Sequence, residues 1–475
     1  MSSHNVLNTR QEPVSIPGDR INAFADSLRG RLLLPGHDDY ETARTIWNAM
    51  IDKRPALIVE CAGVADVMLA VRFGREFDLL TAVKGAGHNI AGNAVCEGGL
   101  MIDLSGLNAV HVDPRARRAH AEPGATLGDV DHETQAFGLA VPTGINSTTG
   151  IAGLTLGGGF GWLTRKHGVT VDNLLSADVV TAEGQLVRAS VDENPDLFWG
   201  IRGGGGNFGI VTSFEFALHP VGPEIFAGLI VFPFSQAKSV LQQYRAYAPT
   251  LPEEANTWAV LRKAPPLPFL PESVHGTEVV VFANFCAGPA EEGEKLVAPI
   301  RAFGTPVGEH LGVMPYTAWQ QAFDPLLTPG MRNYWKSHNF TELADGLFDT
   351  VIDTVLQAPS PHCEIFIGMM GGAYGRVAMD ATAYTQRDAE YVINVHGRWE
   401  TPAGDEAGVN WARAFYRNAA PFATGGVYVN FMPADEADRV AGGAYKPEVL
   451  DRLRNLKTTW DPTNFFRLNQ NIQPA

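Results

Sequence analysis

The chain reads as an α+β protein, in which a glycine-rich domain on a mixed sheet is followed by a domain built on a large antiparallel sheet covered by helices. Three observations predict this. From Pro55 to Pro220 short apolar runs alternate with helical patterns, and the loops between them are rich in glycine. Beyond Pro220 the strand-like runs lengthen and helical stretches separate them, which suits an α+β layer. The last 50 residues return to glycine turns and a terminal motif, so the chain is expected to cross back to the first domain.

Taken in order, residues 1–54 form an N-terminal segment and residues 55–221 the first domain. Ala56 to Glu60 reads as a strand, and Ala65 to Phe73 as the amphipathic helix that follows it. Leu79 to Val83 is a second strand, Met101 to Leu104 and the stretch from Val110 to Glu122 continue the sheet, and Leu127 to Phe137 is a helix. The second domain, residues 222–425, begins at the punctuation Pro220-Val221-Gly222-Pro223. Its strands include Ile225 to Phe234 and Glu278 to Phe285, and its helices Ala237 to Tyr247, Ala290 to Phe303 and Leu347 to Leu356. Residues 426–475 form the return segment.

At 475 residues the chain is long enough to bury a large core. Its 45% hydrophobic and 19% charged content, with 50 glycines, describes a loop-rich globular enzyme rather than a disordered or fibrous chain. With 36 Lys and Arg against 52 Asp and Glu the net charge is -16, which argues against a nucleic-acid partner. The N-terminus shows no basic stretch leading into an apolar run, and no segment approaches the roughly 18 apolar residues of a membrane span. Neither a secretory signal nor a membrane partner is therefore expected. Cys61, Cys96, Cys286 and Cys363 are far apart and form no Cys-x-x-Cys pair, which suits reduced core thiols in the cytoplasm better than a disulfide or metal framework.

The most informative stretch is Lys84-Gly85-Ala86-Gly87-His88-Asn89-Ile90-Ala91-Gly92-Asn93. Glycine and alanine at that density let backbone amides approach an anion, and Lys84 adds charge at the start of the loop. Such a loop cradles a pyrophosphate, with His88 as an attachment point for a cofactor; an ordinary surface turn with a solvated histidine fits the residues equally well. Further glycine-rich segments run from Pro142 to Gly150, from Ile151 to Leu163 and from Gly203 to Thr212. Each alone is a turn, and together they imply a long ligand threaded past several backbones. Gly204-x-Gly206-x-x-Gly209 fits the dinucleotide fingerprint literally, but it runs into the β-rich Ile210 to Phe216 instead of a helix, so the nicotinamide reading fails on context.

Lys84 to Asn89, Gly98 to Ser105, the Gly153 to Trp162 loop, Gly206-Asn207-Phe208-Gly209 and the ending Asp461 to Ile472 resemble, in that order, the vanillyl-alcohol-oxidase superfamily. Within it they are most similar to the berberine-bridge-enzyme-like FAD-linked oxidases and their 6-hydroxynicotine-oxidase-like branch. The resemblance covers roughly residues 40 to 220 and 425 to 475, and it is loose in the middle, where such a family varies its substrate.

The resemblance implies a PCMH-type FAD-binding domain over 55–221, with His88 joined through its ring to the flavin 8α-methyl. It implies further FAD contacts from Lys84, Gly85, Ala86, Gly87, Asn89 and Asn93, and from Gly144, Asn146, Thr149, Gly150, Gly153, Gly157, Gly158, Gly159, Gly161 and Trp162. Asn207, Gly209, Ile210 and Val211 join them, as do Tyr428, Asn430, Asn469 and Asn471, with Gln470 between the last two. Many relatives add a cysteinyl bond from the Pro-Thr-Gly loop; the matching residue here is Asn146, and Cys96 lies on another segment. A single covalent link is therefore expected, with a reduction potential below that of doubly tethered relatives.

Thr149 matches the position that controls oxygen access beside flavin N5, and it equally suits a helix N-cap before Gly150. Tyr428-Val429-Asn430 resembles the family's Tyr-x-Asn strand, whose tyrosine faces the flavin. As a base, a phenol of pKa about 10 needs a nearby cation or hydrogen-bond donor. Lys336 is the candidate helper, since alternation puts it on one strand face with Tyr334 and His338; a solvated edge lysine is the other reading. His396 is a further pocket candidate.

The expected activity is oxidation of a C–H bond alpha to an alcohol or amine of a small organic substrate. Hydride passes to flavin N5, Tyr428 takes the proton, and oxygen is reduced to hydrogen peroxide. A dehydrogenase using another electron acceptor, an oxidative cyclase or redox-neutral flavoenzyme, and a non-catalytic flavin-binding protein stay open as alternatives.

Overall fold

Buried, helix-covered parallel strands near the N-terminus set the first layer. The computed structural model describes residues 3–475. Strands β1 (Arg31–Leu33), β2 (Leu57–Glu60), β3 (Thr81–Lys84) and β4 (Leu100–Asp103) form a sheet in the order β1-β2-β4-β3. Both β2 and β3 run parallel to β4, and helix α1 (Val64–Glu76) makes the crossover from β2 to β3. Helix-covered parallel strands are apolar on both faces, which is why Leu57-Ile58-Val59 and Leu100-Met101-Ile102 show no alternation.

A second, antiparallel sheet follows, from β5 (Val110–Asp113), β6 (Arg118–Ala121), β7 (Leu174–Val180), β8 (Leu186–Ser190) and β9 (Ile210–Ala217), in the order β8-β7-β9-β6-β5. Helix α2 (Leu127–Gln135) starts at a capping box between Thr126 and Asp129 and ends two residues before the expected Phe137. The short helix α3 (Ile151–Leu156) leads into the glycine run that follows.

The third sheet has seven strands, β10 (Glu224–Pro233), β11 (Ala255–Lys263), β12 (Glu278–Cys286), β13 (Gly308–Pro315), β14 (Arg332–Phe340), β15 (Glu364–Met369) and β16 (Tyr391–Trp399). Their order is β13-β10-β12-β11-β15-β16-β14, all antiparallel. Helices α4 (Ala237–Tyr247), α5 (Ala290–Arg301), α6 (Asp345–Leu356) and α7 (Asp405–Ala419) cover it. Gly408, Trp411, Ala412, Phe415 and Ala419 recur at helical spacing on the buried stripe of α7, which packs on β14 and β16.

The Tyr-x-Asn segment is not a strand. Val429–Phe431 form a 3-10 turn in which the Phe431 amide donates to the Tyr428 carbonyl at 3.0 Å and the Asn430 side chain reaches back to the Tyr428 hydroxyl at 2.9 Å. The backbone bond from Phe431 to Tyr428 closes the turn, and the Asn430 side chain, which also donates to the Leu154 carbonyl at 3.2 Å, ties it to α3.

The return segment is tied down by a buried charge pair. Helix α8 (Pro447–Trp460) carries Lys457 in its last turn and is capped by Asp461, both fully buried. Lys457 Nζ donates to Asp461 Oδ2 at 2.8 Å, to the Asn207 carbonyl at 2.7 Å and to the Phe466 carbonyl at 3.1 Å. Asp461 accepts the Phe465 and Phe466 amides at 2.7 and 2.8 Å. Removing one member of such a pair strands the other in a low-dielectric interior. Lys457→Met is therefore expected to lower stability by about 3–5 kcal/mol, checked by urea unfolding of the purified protein.

Candidate active site

One cavity runs between the first two sheets and the third. Its walls include the loop after β3, the Gly144 to Gly157 stretch, the Gly204 to Val211 stretch, the Tyr428 turn and the tail around Asn469. Glycines make these approaches possible. A Cβ on Gly150 falls 2.9 Å from the Ala86 Cβ, and one on Gly157 falls 2.2 Å from Asn430 Oδ1. Gly153 differs, since a Cβ there meets nothing within 4 Å. Among the described residues the amides of Gly87, His88, Asn89 and Ile90 donate to no protein acceptor. Free loop amides beside open space form a cradle for an anionic group.

Most residues expected at a cofactor line this cavity: Gly85, Ala86, Gly87, His88, Asn89 and Asn93, then Gly144, Asn146, Thr149, Gly150, Gly153 and Gly157. Asn207, Gly209, Ile210, Val211, Tyr428, Asn430, Asn469 and Gln470 do so too. Others do not. Lys84 sits directly opposite Asp103 in the parallel register, so its Nζ bonds Asp103 at 3.1 Å and the Ala43 carbonyl at 2.7 Å within the protein. Trp162 packs between Trp258 and Trp319, at 4.7 and 5.2 Å between ring centroids. Gly161 is needed for backbone packing, because a Cβ there would lie 2.1 Å from the Thr143 carbonyl oxygen. Gly158 faces the Tyr384 ring, Gly159 donates its amide to Tyr428, and Asn471 does not reach the cavity. The cap of α3 is Gly150, so Thr149 is free of that role and stands at the cavity wall.

His88 is held by a short relay. Its Nε2 lies 3.0 Å from Thr148 Oγ1, which in turn donates to Asn146 Oδ1 at 2.7 Å. Asn146 Oδ1 also accepts the Thr148 amide at 3.0 Å, and its Nδ2 donates to the Leu327 carbonyl at 3.3 Å, which fixes the carboxamide orientation. Since the Thr148 hydroxyl spends its proton on Asn146, it accepts from His88, and the imidazole proton belongs on Nε2. Nδ1 then carries the lone pair. The ring stacks on Trp47 at 5.0 Å, and burial pushes its pKa down to about 4.

Tyr428 and Lys336 are not partners. The Tyr428 hydroxyl accepts from the Gly159 amide at 3.0 Å and from Asn430 Nδ2 at 2.9 Å, yet burial drives its pKa well above the ordinary phenol value. Lys336 does share a face with Tyr334 and His338, but that face meets α7 and the Glu436 turn. Lys336 Nζ pairs with Glu436 at 2.7 Å, and His338 bonds the Tyr416 carbonyl at 2.9 Å.

The opposite parity of β14 faces the cavity, through Trp335. Cross-strand register puts Trp335 opposite His396, His396 opposite Glu364, and Glu364 opposite Arg262, one row across four strands. Trp335 stacks on His396 at 4.4 Å. Glu364 uses both oxygens, Oε2 to Arg262 at 2.5 Å and Oε1 to His396 Nδ1 at 3.2 Å. These charges and bonds outweigh burial and hold its carboxyl at about 2. Phe366, Trp258 and Phe431 complete an aromatic wall. Trp47, Thr148, Trp335, Glu364 and Arg262 were not singled out from the sequence, and no local motif marks them.

Residues 55–190 match the family described as FAD binding domain, and residues 427–473 that described as Berberine and berberine like. (R)-6-hydroxynicotine oxidase of Paenarthrobacter nicotinovorans is 31% identical over 94% of this chain and 97% of its own. The chain belongs to the berberine-bridge-enzyme-like FAD-linked oxidoreductases. A xylooligosaccharide oxidase of Thermothelomyces thermophilus is 29% identical over 92% of this chain and 91% of its own. The crystal structure of 6-hydroxy-D-nicotine oxidase from Arthrobacter nicotinovorans superposes with a TM-score of 0.83 at 29% identity, covering 94% of this chain and 99% of that one. This berberine-bridge-like chain thus shares the α+β fold and the FAD cofactor of its family.

Buried neutral histidines give the fold an acid limit. Burial lowers His88, His167 and His338 to about 4, while an unfolded histidine titrates near 6.5. Between those values the unfolded chain binds more protons, so stability present above pH 6.5 is lost as pH falls toward 4. Asp131, raised to about 7 by burial, opposes this over the same window, but one group against three leaves a net decline. The urea midpoint is expected to be lower at pH 4.5 than at pH 7.

Proposed function

We propose that this protein is an oxidase that carries FAD on His88 and oxidises the C–H bond alpha to an alcohol or amine of a small organic molecule, with oxygen as final acceptor. The observation that carries this reading is the His88 relay at the rim of the glycine cradle. An imidazole held neutral, with its proton on Nε2, keeps a nucleophilic lone pair on Nδ1 in a residue that lines the cavity, and that nitrogen is the one available for a bond to a flavin. Asn146 occupies the place of a second, cysteinyl tether and serves the relay instead, which supports a single covalent link.

Bound FAD supplies a two-electron acceptor for the substrate hydride and a route for those electrons to oxygen. The chain's own residues do the rest. The free amides of Gly87 to Ile90 fit the pyrophosphate, and Asn207, Ile210 and Val211 line the far wall. Tyr428 stays a phenol at neutral pH and shapes the pocket, since its raised pKa disfavours the phenolate that a base requires. Thr149, small and on the wall, leaves room for oxygen. The (R)-6-hydroxynicotine and xylooligosaccharide oxidases act on an amine and a sugar by their names, and both fit the bond class proposed here.

Acid precipitation tests the tether. Wild-type protein is expected to carry its yellow colour into the pellet and His88→Ala to release it; a coloured His88→Ala pellet overturns the assignment. Thr148→Val, which removes the hydroxyl that accepts from Nε2, is expected to slow covalent incorporation of FAD into apoprotein, followed as flavin fluorescence in denaturing gels.

A further inference from the structure

The row Arg262, Glu364, His396 and Trp335 crosses the third sheet, and its His396 and Trp335 line the cavity while Glu364 and Arg262 back them. Its chemistry is directional. Glu364 accepts from His396 Nδ1, so the ring proton sits on Nδ1 and Nε2 carries the lone pair. Nε2 is buried and has no hydrogen-bond partner among the described residues. A buried ring nitrogen without a partner is costly unless something else occupies that place. Around it stand Trp335, Phe366 and Phe431, with ring centroids 4.4, 5.1 and 6.4 Å from the imidazole.

We propose that His396 is the proton acceptor of the oxidation, and that the substrate is an aryl or heteroaryl alcohol or amine rather than an oligosaccharide. The inference rests on the flavin-oxidase reading and deepens it. The substrate O–H or N–H bond breaks with its proton going to Nε2, the adjacent C–H bond breaks with its electron pair leaving as hydride to the flavin, and a C=O or C=N bond forms. Two electrons leave the substrate and reduce the flavin. Glu364, already ionised and fixed by Arg262, stabilises the imidazolium that results. An aromatic wall with one acceptor suits a flat ring bearing one donor; a sugar's many hydroxyls would find too few partners there.

The charged groups that meet His396 are Glu364 from β15, Arg262 from β11 and Arg398 from β16 itself; the Trp335 and Phe431 sides present only rings. Burial and the two arginines disfavour the imidazolium and Glu364 favours it, so the resting ring is neutral at pH 7 and available as a base. Its protonation at lower pH removes that role.

Anaerobic stopped-flow reduction of the holoenzyme by benzyl alcohol, benzylamine and xylobiose tests the reaction, with His396→Phe keeping the stacked ring and His396→Gln as a second variant. Expected are bleaching by an aryl probe and not by xylobiose, a rate that falls on acidification in wild type, and a loss of roughly 100-fold or more in both variants at unchanged flavin content. Variant rates within threefold of wild type overturn His396 as the acceptor, and bleaching by xylobiose alone overturns the substrate class. Calorimetric binding of phenol, whose hydroxyl-bearing carbon has no hydrogen to leave as hydride, gives a readout independent of turnover. Wild type is expected to bind phenol about tenfold more tightly than His396→Phe, and equal affinity overturns the proposal. If no probe bleaches wild type while phenol binds in this pattern, it is the oxidase reading that fails.

Discussion

The constraint on which the cavity depends is a buried ammonium with three oxygen acceptors. Lys457 has no access to water, so its charge is tolerable only while Asp461 and the carbonyls of Asn207 and Phe466 stay in place. Those acceptors belong to two segments that line the cavity: Asn207 lies in the glycine loop before β9, and Phe466 opens the tail. Once they are fixed, Asn469 reaches the Gly206 carbonyl at 3.1 Å, Ile472 donates to Asn207 Oδ1 at 3.0 Å, and Gln470 bonds the Met432 carbonyl at 3.0 Å. The last bond carries the constraint to the Tyr428 turn. One ion pair thus sets the spacing of three segments that come from distant parts of the sequence.

Within that frame the two cavity histidines are prepared in opposite ways. His88 directs its Nε2 proton to a neutral hydroxyl relay and leaves the lone pair on Nδ1, whereas His396 directs its Nδ1 proton to a carboxylate and leaves the lone pair on Nε2. A threonine hydroxyl leaves the ring neutral and nucleophilic, as attachment to an electrophilic carbon requires. A carboxylate stabilises positive charge, as transient protonation requires. The choice of partner, not the choice of histidine, separates the two roles proposed for them.

The fold was legible wherever a local pattern decided the conformation. The parallel strands, α1, α4 and the long strands β10 and β12 follow from apolar runs of the right length, with ends displaced by a few residues. Ordered glycine motifs located His88 and most of the cradle. What stayed hidden depends on register. Lys84 looked like a phosphate ligand because nothing local shows that residue 103 lies opposite it. Tyr428 looked like a strand residue because the contact that ties its turn in place, Asn430 to the Leu154 carbonyl, comes from a distant part of the sequence. The Arg262, Glu364, His396 and Trp335 row joins residues up to 134 positions apart, so no spacing rule finds it.

Parity on β14 shows how narrow the margin was. Tyr334, Lys336 and His338 do share a face, as alternation requires, and the error lay only in which face was assigned to the cavity. The composition of the neighbours decides it. Lys336 needs a carboxylate and finds Glu436, while on the aromatic side of the sheet Glu364 is already paired with Arg262. Shifting the strand by a single residue would bring Lys336 into the aromatic wall without Glu436 and turn Trp335 toward the α7 face. A stranded ammonium in an apolar pocket costs several kcal/mol on the order of a whole domain's margin of stability. The same desolvation penalty that forbids this register disfavours the charged form of the His396 imidazole on the other face.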